Sequence, residues 1–452
     1  MIDVSRDEIT FRVENRQAKL RYDRDQITRD EIDEVHAITR EIEDGLQGEV
    51  EKRWEDTLQR VSKIDDLDEG LPSAEEIERK INAVEGITEK QREKLQNLFY
   101  KYIEIFRKKP GRFKSFQYRL KVSNDNPFYK KSYPIPMQHR EKVNTEIQKM
   151  LDYDIIERSD TPFINPTIPV IKKDGSARVC MDARELNERL QPDHDGLEEM
   201  EQVLKKCENI GVMSSIDLRA SFWQVPLHPE SRRYCGFMHG GKTYQYKVMP
   251  FGLTVSSGSL TRASEPVIRS LLFVVDFVDD WMIISAYFDE HLMHLEILFE
   301  RILQEGITVN FDKIEIGRKE MKFIGHRITT EGIKLDNEKF EAIQNFEPPR
   351  NLKELRSFLG LINFSSKFTD RMAFETAPLS ELVKKNKKWE WGAKHKEAFE
   401  KTKLLFCQEA FLHYPLRHKP YVLHTDASGV ALGAALCQQD GDEQIRIVSM
   451  AS

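Results

Sequence analysis

At 452 residues the chain is too long for one compact core and should divide into several units, and 39% hydrophobic with 32% charged residues excludes a chain dominated by disorder. Its net charge of −7 is uneven: residues 1–100 hold 17 basic and 27 acidic side chains, whereas residues 101–180 hold 17 basic and 9 acidic. A groove that follows phosphates needs such a basic stretch, although charge runs are also ordinary solvated surface.

The start, MIDVSRDEITFR, is charged where a secretory leader would be apolar, and the longest apolar run, LLFVV at 271–275, stops at Asp276. No membrane partner is therefore expected, and the expected location is cytoplasmic, with the nucleus as an alternative. The five cysteines are far apart with no CxxC pair, which signals neither a zinc site nor a disulfide framework.

In chain order, ITFRV reads as a strand and the stretch after it as a strongly charged helix with Ile32, Val35, Ile38 and Ile42 at helical spacing. Ser73 with Glu76 predicts a capped helix, and EKQREKLQNLFYKYIEIFRK a second one ended by Pro110-Gly111. REKVNTEIQKMLDYDII is helical and leads into TIPVIKKDGSARVCMDA, where Asp174-Gly175 between two apolar runs predicts a hairpin. The centre alternates: helix LEEMEQVLKKCENI, strand VMSSIDL, strand KTYQYKVM, helix SGSLTRASEPVIRSLL, and a second tight hairpin, LFVVDFVDDWMIIS. Beyond it follow helix HLMHLEILFERILQEG, a β-pair in MKFIGHRITTEGIKL, helices NLKELRSFLGLINFSSKF and KHKEAFEKTKLLF, and three strands from PYVLHTDA onward. This order predicts an α+β fold with sheets layered on helices.

Three acids occupy settings that need explaining. Asp279 and Asp280 lie at the turn of an apolar hairpin, and Asp217 ends an apolar strand. Asp is common at tight turns, so the pair alone leaves turn chemistry and catalysis both open. Their surroundings narrow the choice. SSIDLRASFWQVPL, YQYKVMPFGL and FVVDFVDD, followed by FIGHRITTEGI and ELRSFLGLINF, resemble in order the motifs of reverse transcriptases of gypsy-type long-terminal-repeat retrotransposon Pol polyproteins. HTDASGVALGAAL resembles the first strand of their RNase H domain, with Asp426 at its first acid.

The resemblance implies a right-hand polymerase of fingers, palm and thumb, followed by a connection and a truncated RNase H-like α/β segment. The expected division is a charged segment of unknown role at 1–75, fingers and palm at 76–345 with the palm core near 190–290, thumb and connection helices at 346–412, and the RNase H-like start at 413–452. It implies an RNA- and DNA-directed DNA polymerase that joins deoxynucleotides to a primer 3′-hydroxyl by two-metal phosphoryl transfer. Two Mg²⁺ ions, replaceable by Mn²⁺, would be held by Asp217, Asp279, Asp280 and the Leu218 carbonyl, because hard cations take oxygen ligands. Lys172 or Lys173 and Arg178 would hold the incoming deoxynucleoside triphosphate, Phe222 would exclude a 2′-hydroxyl, and Phe251 with Gly252 would lie beneath the nascent base pair. Surface charge and core packing are the plain alternatives for these residues. His326 could equally be a surface strand residue or a contact to the primer end.

The expected partners are an RNA or DNA template with its primer. Protease and integrase motifs are absent from the chain, and RNase H activity is not expected of a segment that breaks off before its later acids. Some positions depart from the family's pattern: Phe277 stands for Tyr, Thr254–Thr261 replaces an Asn-Ala-Pro-x-x-Phe-Gln-like stretch, and Asp276 adds an acid near the presumed ligands. These departures leave a second reading, a weak or inactive domesticated remnant that still binds nucleic acid.

Overall fold

The computed structural model describes residues 2–5, 8–13, 16–21, 70–171, 175–191, 203, 210–369, 372–385, 387–406, 411–416, 418–427, 432–440 and 444–451. The chain divides into two compact units, Met1–Asp68 and Glu69–Ser452. In the first, Ile2–Ser5, Glu8–Val13 and Arg16–Arg21 form an antiparallel sheet in chain order. Only the middle strand is expected, as ITFRV; its neighbours, IDVS and RQAKLR, alternate but hold only two apolar residues each. The expected charged helix, and the LEEMEQVLKKCENI helix except for residues 203 and 210, lie outside the described residues.

The second unit opens with helix Ala74–Asn82, where the Ser73 side chain accepts from the Glu76 amide and Glu76 reaches back to the Ser73 amide. This reciprocal cap satisfies two amides that helix geometry leaves without partners. Ile77 and Ile81, four apart, bury the inner face. Helix Glu89–Lys101 follows with the same device at Thr88 and Gln91.

Four larger sheets and a two-stranded hairpin follow. Ile156–Arg158, Lys242–Tyr246, Gly236–His239 and Ile164–Asn165 form one, beside a hairpin of Thr167–Ile171 with Ala177–Met181. The central sheet runs Val274–Phe277, Asp280–Ser285, Val212–Asp217, Glu315–Arg318. A third comprises Glu320–Phe323, His326–Thr329 and Gly332–Leu335, closed by the distant Phe411–His413. MKFIGHRITTEGIKL is thus three strands rather than a pair. The last sheet is Tyr421–Ala427, Leu432–Asp440 and Gln444–Ala451.

Alternation gives the central sheet two faces. Met213, Val275, Met282 and Ile284 pack with Met321, Phe323 and Ile328 on one face. On the other, Ser214 and Ser285 both bond the buried His291 of helix Phe288–Glu305 (2.6 and 2.8 Å) and fasten that helix to the sheet. Helices Leu352–Phe364, Met372–Leu382 and Ala393–Leu405 enclose a separate core around Phe358, Leu379 and Phe399.

Candidate active site

The strand register gathers the three acids. Asp217 lies opposite Asp280 across adjacent antiparallel strands, and Asp280 lies opposite Phe277. The Leu218 amide donates to the Asp279 carbonyl (3.4 Å), so Asp217 and Asp280 form a non-hydrogen-bonded pair, the closer kind, with Cα atoms about 4.5 Å apart and side chains on one face. Asp279 is the second residue of the two-residue turn, and Ser221 Oγ donates to its carboxylate (3.3 Å). Val278, the first, has φ +59°, a backbone conformation that a β-branched side chain rarely adopts. The turn therefore presents Asp279 at the cost of local strain.

Asp276 pairs with Trp281, one residue out of phase with Phe277 and Asp280, so it belongs to the opposite face of the sheet. The expectation that it charges the neighbourhood of the other acids is corrected by this alternation.

Two groups that carry no sequence signal hold Asp217. Asn310 Nδ2 donates to one carboxylate oxygen (3.3 Å) and Lys313 Nζ to the other (2.9 Å), while the Asn310 amide donates to the Asp217 carbonyl (2.8 Å). Loss of hydration first, then the charges of Asp279 and Asp217, push the Asp280 carboxyl above the usual range, with Lys313 opposing. Asp280 is exposed as a residue, yet its carboxyl is hemmed in by the surrounding chain. Three carboxyl groups crowded at one end of a sheet, with a single ammonium among them, are the donor set that a hard divalent cation fits. Among the described residues no three such side chains are closed around a common point.

A second cluster adjoins the first. Phe222 and Phe251 meet edge to face with centroids 5.6 Å apart, and the Arg178 guanidinium lies over the Phe251 ring (5.0 Å). Gly252 has φ +102°, and a Cβ there would stand 3.0 Å from the Met181 carbonyl oxygen, so only glycine lets this segment approach the hairpin strand. Asn187, a residue that sequence reasoning missed, donates to the Gly252 carbonyl (2.9 Å) and accepts from the Thr254 amide (3.0 Å). Lys172 and Lys173 lie outside the described residues.

His326 is neither exposed nor at a surface. It is fully buried, its ring stacked on Phe364 (5.0 Å) and tilted against Phe368 (5.8 Å), with Nδ1 bonded to the Ile324 carbonyl (2.9 Å). The alternating pattern of a short strand could not reveal that a helix 38 residues on supplies the covering ring.

Comparisons with known proteins bear on the fold and the family. Residues 170–328 match the family model of reverse transcriptase (RNA-dependent DNA polymerase), and residues 391–452 that of the RNase H-like domain found in reverse transcriptase. The chain is 34% identical over 327 residues to the retrovirus-related Pol polyprotein from transposon 297 of Drosophila melanogaster, covering 71% of this chain and 31% of that protein. It is 28% identical over 342 residues to the transposon Tf2-3 polyprotein of Schizosaccharomyces pombe, covering 75% of this chain and 26% of that protein. It therefore spans less than a third of the length of these curated relatives. The foamy viral protease-reverse transcriptase solved in complex with double-stranded DNA shares the fold, with a TM-score of 0.76 at 24% identity over 85% of this chain and 68% of that one. A structure of the foamy viral protein with RNA/DNA hybrid gives a TM-score of 0.72 at 24% identity, over 84% of this chain and 52% of that one. Residues 170–328 thus carry a reverse transcriptase domain and residues 391–452 an RNase H-like domain of the kind found in reverse transcriptase, and the relatives matched are Pol polyproteins of retrotransposons.

Proposed function

We propose that this chain extends a primer 3′-hydroxyl with deoxynucleotides along an RNA or DNA template, using two Mg²⁺ ions held by Asp217, Asp279, Asp280 and the Leu218 carbonyl. The observation that carries the reading is the pairing of Asp217 with Asp280 beside a strained turn that presents Asp279. Bound there, divalent ions would neutralise charge on the attacked phosphate and favour the attacking and leaving oxygens of an in-line displacement.

The chain's own residues would do the positioning. Asn310 and Lys313 fix the Asp217 carboxylate, and Ser221 fixes that of Asp279. Arg178, spread over Phe251, offers a forked guanidinium to a triphosphate, with Lys172 or Lys173 as a further cation. Phe222, set edge-on to Phe251, is the bulk that would reject a ribose 2′-hydroxyl. The relatives solved with double-stranded DNA and with RNA/DNA hybrid support a primer–template as the partner. Fingers and palm at 76–345, thumb and connection helices from 346, and a cytoplasmic location complete the proposal; the RNase H-like match begins at residue 391, ahead of the expected boundary at 413.

The test is Asp279→Asn. Asn forms turns well and nearly matches Asp in shape, so the fold should survive, whereas its neutral oxygen binds Mg²⁺ poorly. Single-nucleotide incorporation should fall about a thousandfold or more while primer–template affinity is kept. Equal rates in mutant and wild type would reduce Asp279 to a turn residue and leave a non-catalytic nucleic-acid-binding remnant as the better reading.

A further inference from the structure

Helix Ala74–Asn82 lies outside the segment matched to the reverse transcriptase model, and its charged face has no evident task. One side chain of that face makes a specific connection. Lys80 Nζ donates to the backbone carbonyls of Asp312 (3.2 Å) and Ile314 (3.0 Å), and it stands 5.2 Å from the centre of the Phe311 ring. These three residues flank Lys313, whose ammonium holds Asp217.

We propose that Lys80 is a positioning residue for the acid site: it fixes the backbone of the 310–314 loop and thereby the two groups, Asn310 and Lys313, that orient the Asp217 carboxylate. The inference rests on the reading of Asp217 as a metal ligand. An isolated ion pair with an exposed lysine is weak because the long side chain must give up its freedom to hold one geometry. The Lys313 side chain is 63% exposed, so its hold on Asp217 depends on where its backbone stands.

That backbone is tied at residue 310 by the Asn310 amide bond to the Asp217 carbonyl and is fastened from three further sides. Lys80 bridges two carbonyls that bracket residue 313. Arg219, two residues after Asp217, donates to Asn310 Oδ1 (3.1 Å) and pairs with Asp312 (3.7 Å). The Phe311 ring is buried edge-on against Phe106 and Phe99, with centroids 5.4 and 6.2 Å away. Phe311 and Arg219 anchor side chains, whereas Lys80 alone among these three is seen to hold the carbonyls on either side of residue 313. Its own position is set by the Ser73 cap and by the burial of Ile77 and Ile81 one face away. Groups that orient a metal ligand commonly change metal affinity by about 10–100-fold when removed. Lys80 acts one layer further out, so a smaller effect is expected.

The experiment measures Mn²⁺ affinity directly, by electron paramagnetic resonance titration of the full chain without substrate, for wild type, Lys80→Met, Lys80→Arg and Asp217→Asn. Lys80→Met should weaken Mn²⁺ binding by about three- to tenfold, on the scale set by groups that orient a metal ligand. Lys80→Arg, whose guanidinium can also donate to two carbonyls, should restore most of it. A Lys80→Met protein with lowered melting temperature but wild-type Mn²⁺ affinity would overturn the proposal, since Lys80 would then serve stability alone. Should Lys80→Met fail to fold, Lys80→Gln is read by the same criterion. Asp217→Asn separates the two layers. If it leaves Mn²⁺ binding intact, the metal reading of Asp217 falls; if it abolishes binding while Lys80→Met does not weaken it, only the role of Lys80 falls.

Discussion

Asp217 and Asp280 face one another across adjacent strands as a close, non-hydrogen-bonded pair, and the consequence is mutual repulsion built into the sheet. The same strands that bury Met282 and Ile284 hold the two carboxyl groups together, so core packing offsets the electrostatic cost.

That cost should be visible in stability. The folded-state pKa of Asp280 is raised above its unfolded value, by loss of hydration and then by Asp279 and Asp217. A raised carboxyl favours the folded state below the unfolded pKa and loses that contribution as the pH rises through the folded one. Asp280→Asn should therefore leave urea stability at acid pH nearly unchanged and raise it at neutral pH in the presence of a chelator. A lower neutral-pH stability would mean that Lys313 more than compensates the charge.

Two buried histidines make the fold acid-sensitive. Burial first, then the His294 charge, lowers the His291 pKa to about 3, and burial first, then the Lys367 charge, lowers that of His326 to about 3. Unfolded, both should titrate near 6.5. Their contribution is intact above that value and is lost as the pH falls towards the folded pKa, at about 1.4 kcal/mol per pH unit for each residue. His326→Phe, which suits the ring stack of Phe364 and Phe368, should remove one proton from the slope of unfolding free energy between pH 6 and 4.5. An unchanged slope would show that His326 stays accessible to protons in the folded chain.

Val278 is the strained residue of the acid hairpin. Asn tolerates a positive φ far better, so Val278→Asn should stabilise the fold by about 1 kcal/mol, read as a rise in melting temperature. If the half-buried valine side chain contributes more packing than its backbone costs, the melting temperature will fall instead.

The acids were legible in the sequence because turn and strand chemistry are local. The two-residue loop between VVDF and DWMIIS fixes the hairpin register, with Phe277 opposite Asp280, whereas the pairing of Asp217 with Asp280 joins strands far apart in sequence and was expected only from the resemblance. The hairpin around Asp174-Gly175 and the Ser73 cap were legible for the same reason. Asn310, Lys313, Asn187 and Lys80 were not, since each acts through a contact made only after distant segments meet. Helix Met372–Leu382 was hidden by its internal Pro378, and strands as short as Ile156–Arg158 are below the length at which alternation can be read. His326 shows the converse: its strand was legible, but its burial under Phe364 and Phe368 depends on a helix from the next core.

Strand Phe411–His413, which closes the sheet along Gly332–Leu335, bears on how the chain is made. As the polypeptide leaves the ribosome, Gly332–Leu335 emerges with one edge unpaired, and helices Leu352–Phe364, Met372–Leu382 and Ala393–Leu405 must follow before its partner appears. An open strand edge is a template for wrong pairing, and closure across so long a separation is slow. Lys334, at the middle of that strand, is the kind of charged side chain that discourages a stray strand from adding there during the wait. Co-translational folding thus has a vulnerable interval set by the helical bundle, and the sheet beside the acids is sealed only when the chain returns from it.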